Sequence, residues 1–326
     1  MGHPVVSTVA EQLHLSTAAT PRGIIAISMK YVLVALLAVL ALCSCASKKT
    51  LSADQYFTQA NEDFRIGALA PAIESYRELL DQHPFSEYSE EAEVRIAQAQ
   101  YLNEDYAAAI VSLTDFQRRH PTSPHLPFVG YCLGMCYANQ MGTLDRDQTA
   151  AQNAHTYFAT LVNQYPTSPF AQLAREQVSR CRESMASHEM YVADYYRRLD
   201  NQKAVEVRLL DLSAAYGDTN TGADALLDLT RRYAEAKNSE YATLAYRALK
   251  DLHPDEPQTE EARAAIDLDK ADLPRTSDPL DLLLIAHGRK RPTETLTLPA
   301  VPLPAKALPN SPPTMPTIDP FGRSQY

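Results

Sequence analysis

The chain has 326 residues, a formal net charge of −10, 22 prolines, five cysteines and no tryptophan. An acidic chain without a basic helix face bearing interleaved aromatics does not suit a phosphate backbone, which argues against nucleic-acid binding. No glycine-rich phosphate loop, His-Glu-x-x-His pair or Gly-x-Ser-x-Gly elbow occurs, so the sequence speaks against an enzyme and implies no cofactor.

At the amino terminus, Met29-Lys30 precedes the apolar run 31–42. A bilayer span takes about 20 residues, so this run is too short to cross and suits the core of a signal peptide. Met29 is a candidate start, since the residues before it look like neither signal nor repeat. The segment Leu42-Cys43-Ser44-Cys45 resembles the lipobox of bacterial lipoproteins. Cleavage before Cys45 and acylation of its sulfur and amine would anchor the chain without a spanning helix, each buried methylene contributing about 0.8 kcal/mol. Cys43 is the poorer candidate because Leu42, a large residue, would sit immediately before the cut. An ordinary cleaved signal with incidental cysteines is the alternative. Ala46, rather than Asp, follows Cys45, which favours the outer membrane and a domain facing the periplasm. Residues 1–44 are thus read as signal region and 45–53 as lipidated linker.

Beyond the linker an apolar triplet recurs before each break in the helix pattern. The breaks are Pro84, Pro121, Pro166, Gly217 and Pro254. Before them come Ala72, Tyr76, Leu79; Ala109, Leu113, Phe116; Ala154, Phe158, Leu161; Val205, Leu209, Leu212; and Ala242, Tyr246, Leu249. Offsets of four, then three, place each triplet on one helical stripe. Proline, or glycine at positive φ, then ends the helix. Ala60 with Phe64, and Ala97 with Tyr101, mark a preceding helix in the first two units. Small, aromatic, then Ala–Tyr/Phe–Leu–Pro resembles the tetratricopeptide repeat, of usual period about 34 residues. The fold expected is all-α, a right-handed solenoid of about five helical hairpins that grips other polypeptides.

Two spacings exceed the basic one. Met141–Asp147 reads as a long loop inside the third unit. Between Pro169 and Leu199 no Gly or Pro intervenes, which predicts one long helix, capped by Ser168, joining three amino-terminal repeats (54–167) to two carboxy-terminal ones (168–272). A closing helix over Glu260–Lys270 would cover the last hairpin. The proline-rich tail 273–326 reads as largely disordered. Its one apolar island, capped by Asp278, starting at Pro279 and stopped by Gly288, carries Leu280, Leu283 and Leu284. It is either a last docked helix or a docking peptide for another protein. His83, His120 and His253 precede break prolines, at helix ends where an imidazole can meet unpaired carbonyls.

Cys136 and Cys181 sit at equivalent places after their break prolines. Three readings stay open: small residues packing at a helix crossing, a disulfide between them, or a zinc site, for which no histidine has suitable spacing.

Several segments carry a more specific resemblance: Tyr106–Ile110, His120–Pro124, the loop Arg146-Asp147-Gln148-Thr149, Tyr165–Ser168, Val192–Tyr196, Asp218-Thr219 and Asp224–Leu226. With the lipobox and the long joining helix, they make residues up to about 250 resemble the BamD family, lipoprotein subunits of the outer-membrane β-barrel assembly machinery. Gly217 in place of the family's usual proline, Cys132 and Cys136, and the long tail depart from it. The resemblance implies a non-enzymatic scaffold without metal. Its partners would be a β-barrel insertase, other assembly lipoproteins, unfolded outer-membrane proteins and, through Cys45, the outer membrane itself. It implies Tyr56, Asp63, Arg95, Gln98 and Tyr131 as a substrate-peptide groove. Arg146 and Asp147 in the loop, with Tyr195, Tyr196 and Arg208, are the partner-facing candidates. An adaptor lipoprotein of envelope division or peptidoglycan synthesis is the alternative, and the Arg146–Thr149 loop is what separates the two.

Overall fold

The computed structural model describes residues 50–266 and 278–292; Cys45, the signal region and most of the tail lie outside them. The chain divides into two units, 1–51 and 52–326, and every helix below belongs to the second. Among the described residues there are twelve helices and no strand. They are α1 (Ala53–Arg65), α2 (Leu69–Gln82), α3 (Ser89–Leu102), α4 (Tyr106–Arg119), α5 (Leu126–Ala138), α6 (Thr149–Gln164), α7 (Pro169–Arg198), α8 (Gln202–Tyr216), α9 (Asn220–Glu235), α10 (Ser239–Leu252), α11 (Pro257–Ala264) and α12 (Pro279–Ala286).

The first ten form five hairpins, each helix packing on the next in sequence. The apolar triplets lie on the second helix of each hairpin, and all fifteen side chains are buried. They join three apolar clusters: a small one around Tyr76 and Leu79, a central one from Val94 to Cys181, and a carboxy-terminal one from Ala193 to Leu284. A hairpin alone leaves its apolar stripe wet, so burial in this array comes from stacking.

Hairpin turns follow one recipe. Glu104, Asp200 and Lys237 take positive φ (61°, 54° and 59°). The next residue, Asp105, Asn201 or Asn238, then caps the second helix by accepting from the backbone N–H of Ala108, Ala204 or Tyr241. In the first hairpin Gly67 supplies the positive φ, and Ala68 adopts the capping backbone without a side-chain bond. The third hairpin has the long loop instead, between Ala138 and Thr149.

The joining helix is present as α7, with the Ser168 hydroxyl accepting from Phe170 N–H at 3.2 Å. Thirty residues make it about 45 Å long. Three expectations need correction. Gly217 ends α8 at φ −58°, not at positive φ. What demands glycine is crowding, since a Cβ would lie 2.5 Å from the Ser213 carbonyl oxygen and 3.2 Å from Leu252 Cδ1. The closing helix spans Pro257–Ala264: it starts earlier than Glu260, because Pro257 fits the first helical position, and it ends before Ala265, short of the expected Lys270; residues 267–270 lie outside the described segments. Of the histidines, His253 does meet a carbonyl, donating from Nε2 to Gly217 O at 2.7 Å and tying the fifth unit to the fourth, whereas His120 instead reaches the Glu93 carboxylate at 2.9 Å.

The tail island forms α12 and is docked, with Leu280, Leu283 and Leu284 buried in the carboxy-terminal cluster. Cys132, Cys136 and Cys181 are free, buried thiols, so the disulfide left open for Cys136 and Cys181 is not formed here. Burial pushes the Cys136 thiol up to about 12 and that of Cys181 to about 11, which removes the reactive thiolate at neutral pH. Among the described residues no cluster of three His, Cys, Asp or Glu could hold a metal ion.

Candidate partner-binding surfaces

The five residues expected to line a peptide groove sit on the first helices α1, α3 and α5, and the structure brings only some of them together. Arg95 and Gln98 meet on α3, the Arg95 guanidinium donating to Gln98 Oε1 at 3.2 Å. The same guanidinium donates to Glu91 Oε1 at 3.3 Å and lies over the Phe64 ring of α1, 5.6 Å from its centroid. Arg95 is only 6% exposed. Its charge is met by a carboxylate, an amide and an aromatic face, the partners a buried guanidinium requires. Tyr56, half-buried on α1, sits 6.2 Å ring to ring from His83. Asp63 is half-buried too, and its backbone carbonyl accepts from Ala68 N–H at 2.8 Å.

Tyr131 does not belong with them. It is 3% exposed and packs between Phe158 and Phe170, with ring centroids 5.8 and 5.9 Å away. Burial pushes its phenol up to about 12. Its neighbours on α5 explain the misplacement: every residue from Leu126 to Cys136 is buried, so this inner helix has no groove-facing side.

The partner-facing candidates gather around the second half of α7. The loop before α6 is internally braced. Gln148 Nε2 donates to the Arg146 carbonyl at 2.9 Å, and Asp147 Oδ1 accepts from Thr149 N–H at 2.9 Å. Hydrogen bonds from Thr149 hold the Asp147 carboxyl below the ordinary carboxylate range. The loop is also pinned to α7, His188 donating from Nδ1 to the Leu144 carbonyl at 2.6 Å. Arg146 and Asp147 are therefore exposed on a fixed loop.

From His188 the same side of α7 continues through Tyr191, Tyr195 and Leu199, at intervals of three, four and four residues. Tyr195 is 50% exposed and Leu199 58%; Tyr191 and Leu144 are exposed as well. Arg198 lies over the Tyr191 ring at 6.0 Å. Tyr196 turns the other way and packs on the carboxy-terminal cluster, its ring edge-on to Tyr195 at 5.6 Å. Arg208 on α8 is half-exposed and pairs with Glu189 of α7 at 3.4 Å. Of the expected residues, Arg146, Asp147 and Tyr195 present free surface, Arg208 is committed to an ion pair, and Tyr196 is partly structural. Leu144, His188, Tyr191 and Leu199 escaped the sequence reading. For Tyr191 and Leu199 the signal is their spacing of four residues on either side of Tyr195; Leu144 and His188 have no such signal, because they meet through a backbone carbonyl.

A family model for outer membrane lipoproteins, YfiO, matches residues 49–249, which span α1 to the last turn of α10. Among curated proteins, the outer membrane protein assembly factor BamD of Xylella fastidiosa strain 9a5c is 30% identical over 214 residues, covering 63% of this chain and 73% of that protein. BamD of Vibrio cholerae is 28% identical over 213 residues (61% and 88%). BamD of Neisseria meningitidis serogroup B is 24% identical over 249 residues (70% and 93%). The five stacked hairpins, the braced third-unit loop and a family match across most of the solenoid lead to one conclusion: the chain belongs to the YfiO family of outer membrane lipoproteins, that of the assembly factor BamD.

Proposed function

We propose that this protein is an assembly factor for outer membrane proteins that works as a non-enzymatic scaffold. It is anchored in the outer membrane through acylated Cys45 and presents its helical array to the periplasm. The observation that carries the reading is the exposed side of α7, where Tyr191, Tyr195 and Leu199 run beside a loop fixed by His188. Exposed aromatics on a rigid helix are what a protein interface selects, because their area is buried at low conformational cost. The partner assigned to this face is a β-barrel insertase, with Arg146, Asp147, Tyr195, Tyr196 and the Arg208–Glu189 pair at or behind the contact. Other assembly lipoproteins would join the same complex. Unfolded outer-membrane proteins would bind the amino-terminal hairpins near the half-buried Tyr56 and Asp63, by modest and reversible peptide contacts, with the buried Arg95–Gln98 pair as internal support rather than contact surface. Tethering raises the effective concentration of scaffold at the insertase, so neither contact needs high affinity alone. Among the described residues no helix is long and apolar enough to cross a membrane.

Affinity purification after gentle detergent extraction tests the reading. The unaltered chain is expected to bring down a large β-barrel protein, and Tyr191→Ala with Tyr195→Glu to lose at least about tenfold of it, an interface loss of roughly 1.4 kcal/mol or more. Recovery of division or peptidoglycan enzymes with no barrel protein would replace this function with the adaptor alternative. Metabolic labelling with a palmitate analogue tests the anchor separately. Incorporation should vanish in Cys45→Ala, and label persisting there would refute the assignment.

A further inference from the structure

Helix α12 lies beyond the family match and carries its own start, stop and charge pairing. Asp278 accepts from the N–H groups of Leu280 and Asp281 at 2.9 and 3.2 Å, and Gly288 ends the helix at φ 69°. Arg291 folds back onto Asp278 and Asp281 at 2.6 and 2.7 Å. One face, Leu280, Leu283 and Leu284, is buried, while Ile285 is 66% exposed.

The place where it docks is a groove between second helices of neighbouring hairpins. At one end Leu280 Cδ2 lies 3.5 Å from where a Cβ on Gly217 would be, beside Leu252. Those are the last turns of α8 and α10. At the other end the His287 ring is 4.8 Å from Tyr241, near the start of α10, and its Nε2 is 3.3 Å from Glu206, near the start of α8. Tyr233 at the end of α9 places its hydroxyl 3.1 Å from the same nitrogen. Arg289 pairs with Asp211 of α8. α12 therefore runs antiparallel to both α8 and α10. Leucines fill the groove, and His287 and Arg289 at the helix's carboxy-terminal end meet Glu206 and Asp211 on the groove wall. Charge, direction and shape are matched as in a helix-in-groove complex.

We propose that the groove between α8 and α10 is a binding site for a short amphipathic helix of the pattern Leu-x-x-Leu-Leu followed by basic residues, and that residues 278–291 occupy it as an exchangeable tethered ligand. An eight-residue helix is too short to persist alone in water, so it forms on docking and is lost on release. Because it belongs to the same chain, the segment has an effective concentration of roughly millimolar at the groove, enough to keep it filled and to exclude an outside helix of the same chemistry. This inference does not rest on the insertase reading and is tested without it.

The probe is a fluorescent synthetic peptide of residues 277–292, titrated against the full chain and against the full chain carrying Leu283→Asp with Leu284→Asp. The released variant should bind saturably and at least about tenfold more tightly than the unaltered chain, whose own segment competes. Asp211→Arg in the released variant should weaken binding, and a peptide carrying Arg289→Glu should recover it. Absence of binding, or loss of the cooperative unfolding transition in the released variant, would overturn the proposal and make α12 fixed core. Hydrogen exchange on the unaltered chain gives a second reading: α12 amides should exchange well before those of α8 and α10, and equal protection would also overturn it.

Discussion

Three asparagine and aspartate side chains start second helices here in the same way, each following a residue forced into the left-handed region. Asn238 accepts from Tyr241 N–H at 3.1 Å, and Asn238→Ala should cost about 1 kcal/mol, readable as a lower urea midpoint. Ala68 holds the equivalent backbone in the first hairpin without a cap, and the sequence shows why. The position three residues on is Pro71, which has no N–H to offer. Ala68→Asp should therefore return only a small part of what Asn238→Ala removes. Left-handed Glu104, Asp200 and Lys237 were not legible beforehand, because no glycine marks them. The pattern that identifies them is a following Asp or Asn one residue before the apolar run. Arg95 and Tyr131 show the opposite failure. Both look like groove residues by type, yet each sits on an inner helix enclosed by neighbours on several sides, where polarity and periodicity no longer report solvent.

Among the elements, second helices were readable because the stripe of three residues is buried in every one of them, and α7 because nothing interrupts it between Pro169 and Leu199. The loop before α6 could be recognised from its length and its Arg-Asp-Gln-Thr segment; its attachment to α7 could not, because the contact uses a histidine forty-four residues away and a backbone carbonyl that sequence does not display. Gly217 was seen as a stop, for the wrong reason. Since its hydrogen atom faces Ser213, Leu252 and Leu280, Gly217→Ala should cost about 1–3 kcal/mol through overpacking. Urea unfolding of the full chain checks this, and an unchanged midpoint would mean that the crowding relaxes without penalty.

Across the whole molecule, stability follows the size of the three apolar clusters, because each hairpin answers mainly to its neighbours. The amino-terminal cluster has few fully buried members, with Tyr76 the largest, whereas the central and carboxy-terminal ones run through several hairpins. Amides of α1 and α2 should therefore exchange with solvent first, ahead of α5 to α10, in a native-state hydrogen-exchange series. Uniform protection from α1 to α10 would show instead that the array opens as one unit. The order suits the client-binding role proposed for the amino-terminal hairpins, since an element that must adapt is drawn from the less stable end.

Helix α7 packs against α6 before it and α8 after it, and reaches both α5 and α9. It is at once the back wall of one room and the front wall of the next. No scissor cut along the chain yields two finished halves: sever after Arg198 and the downstream piece stands open on one side, sever before Pro169 and the upstream piece does.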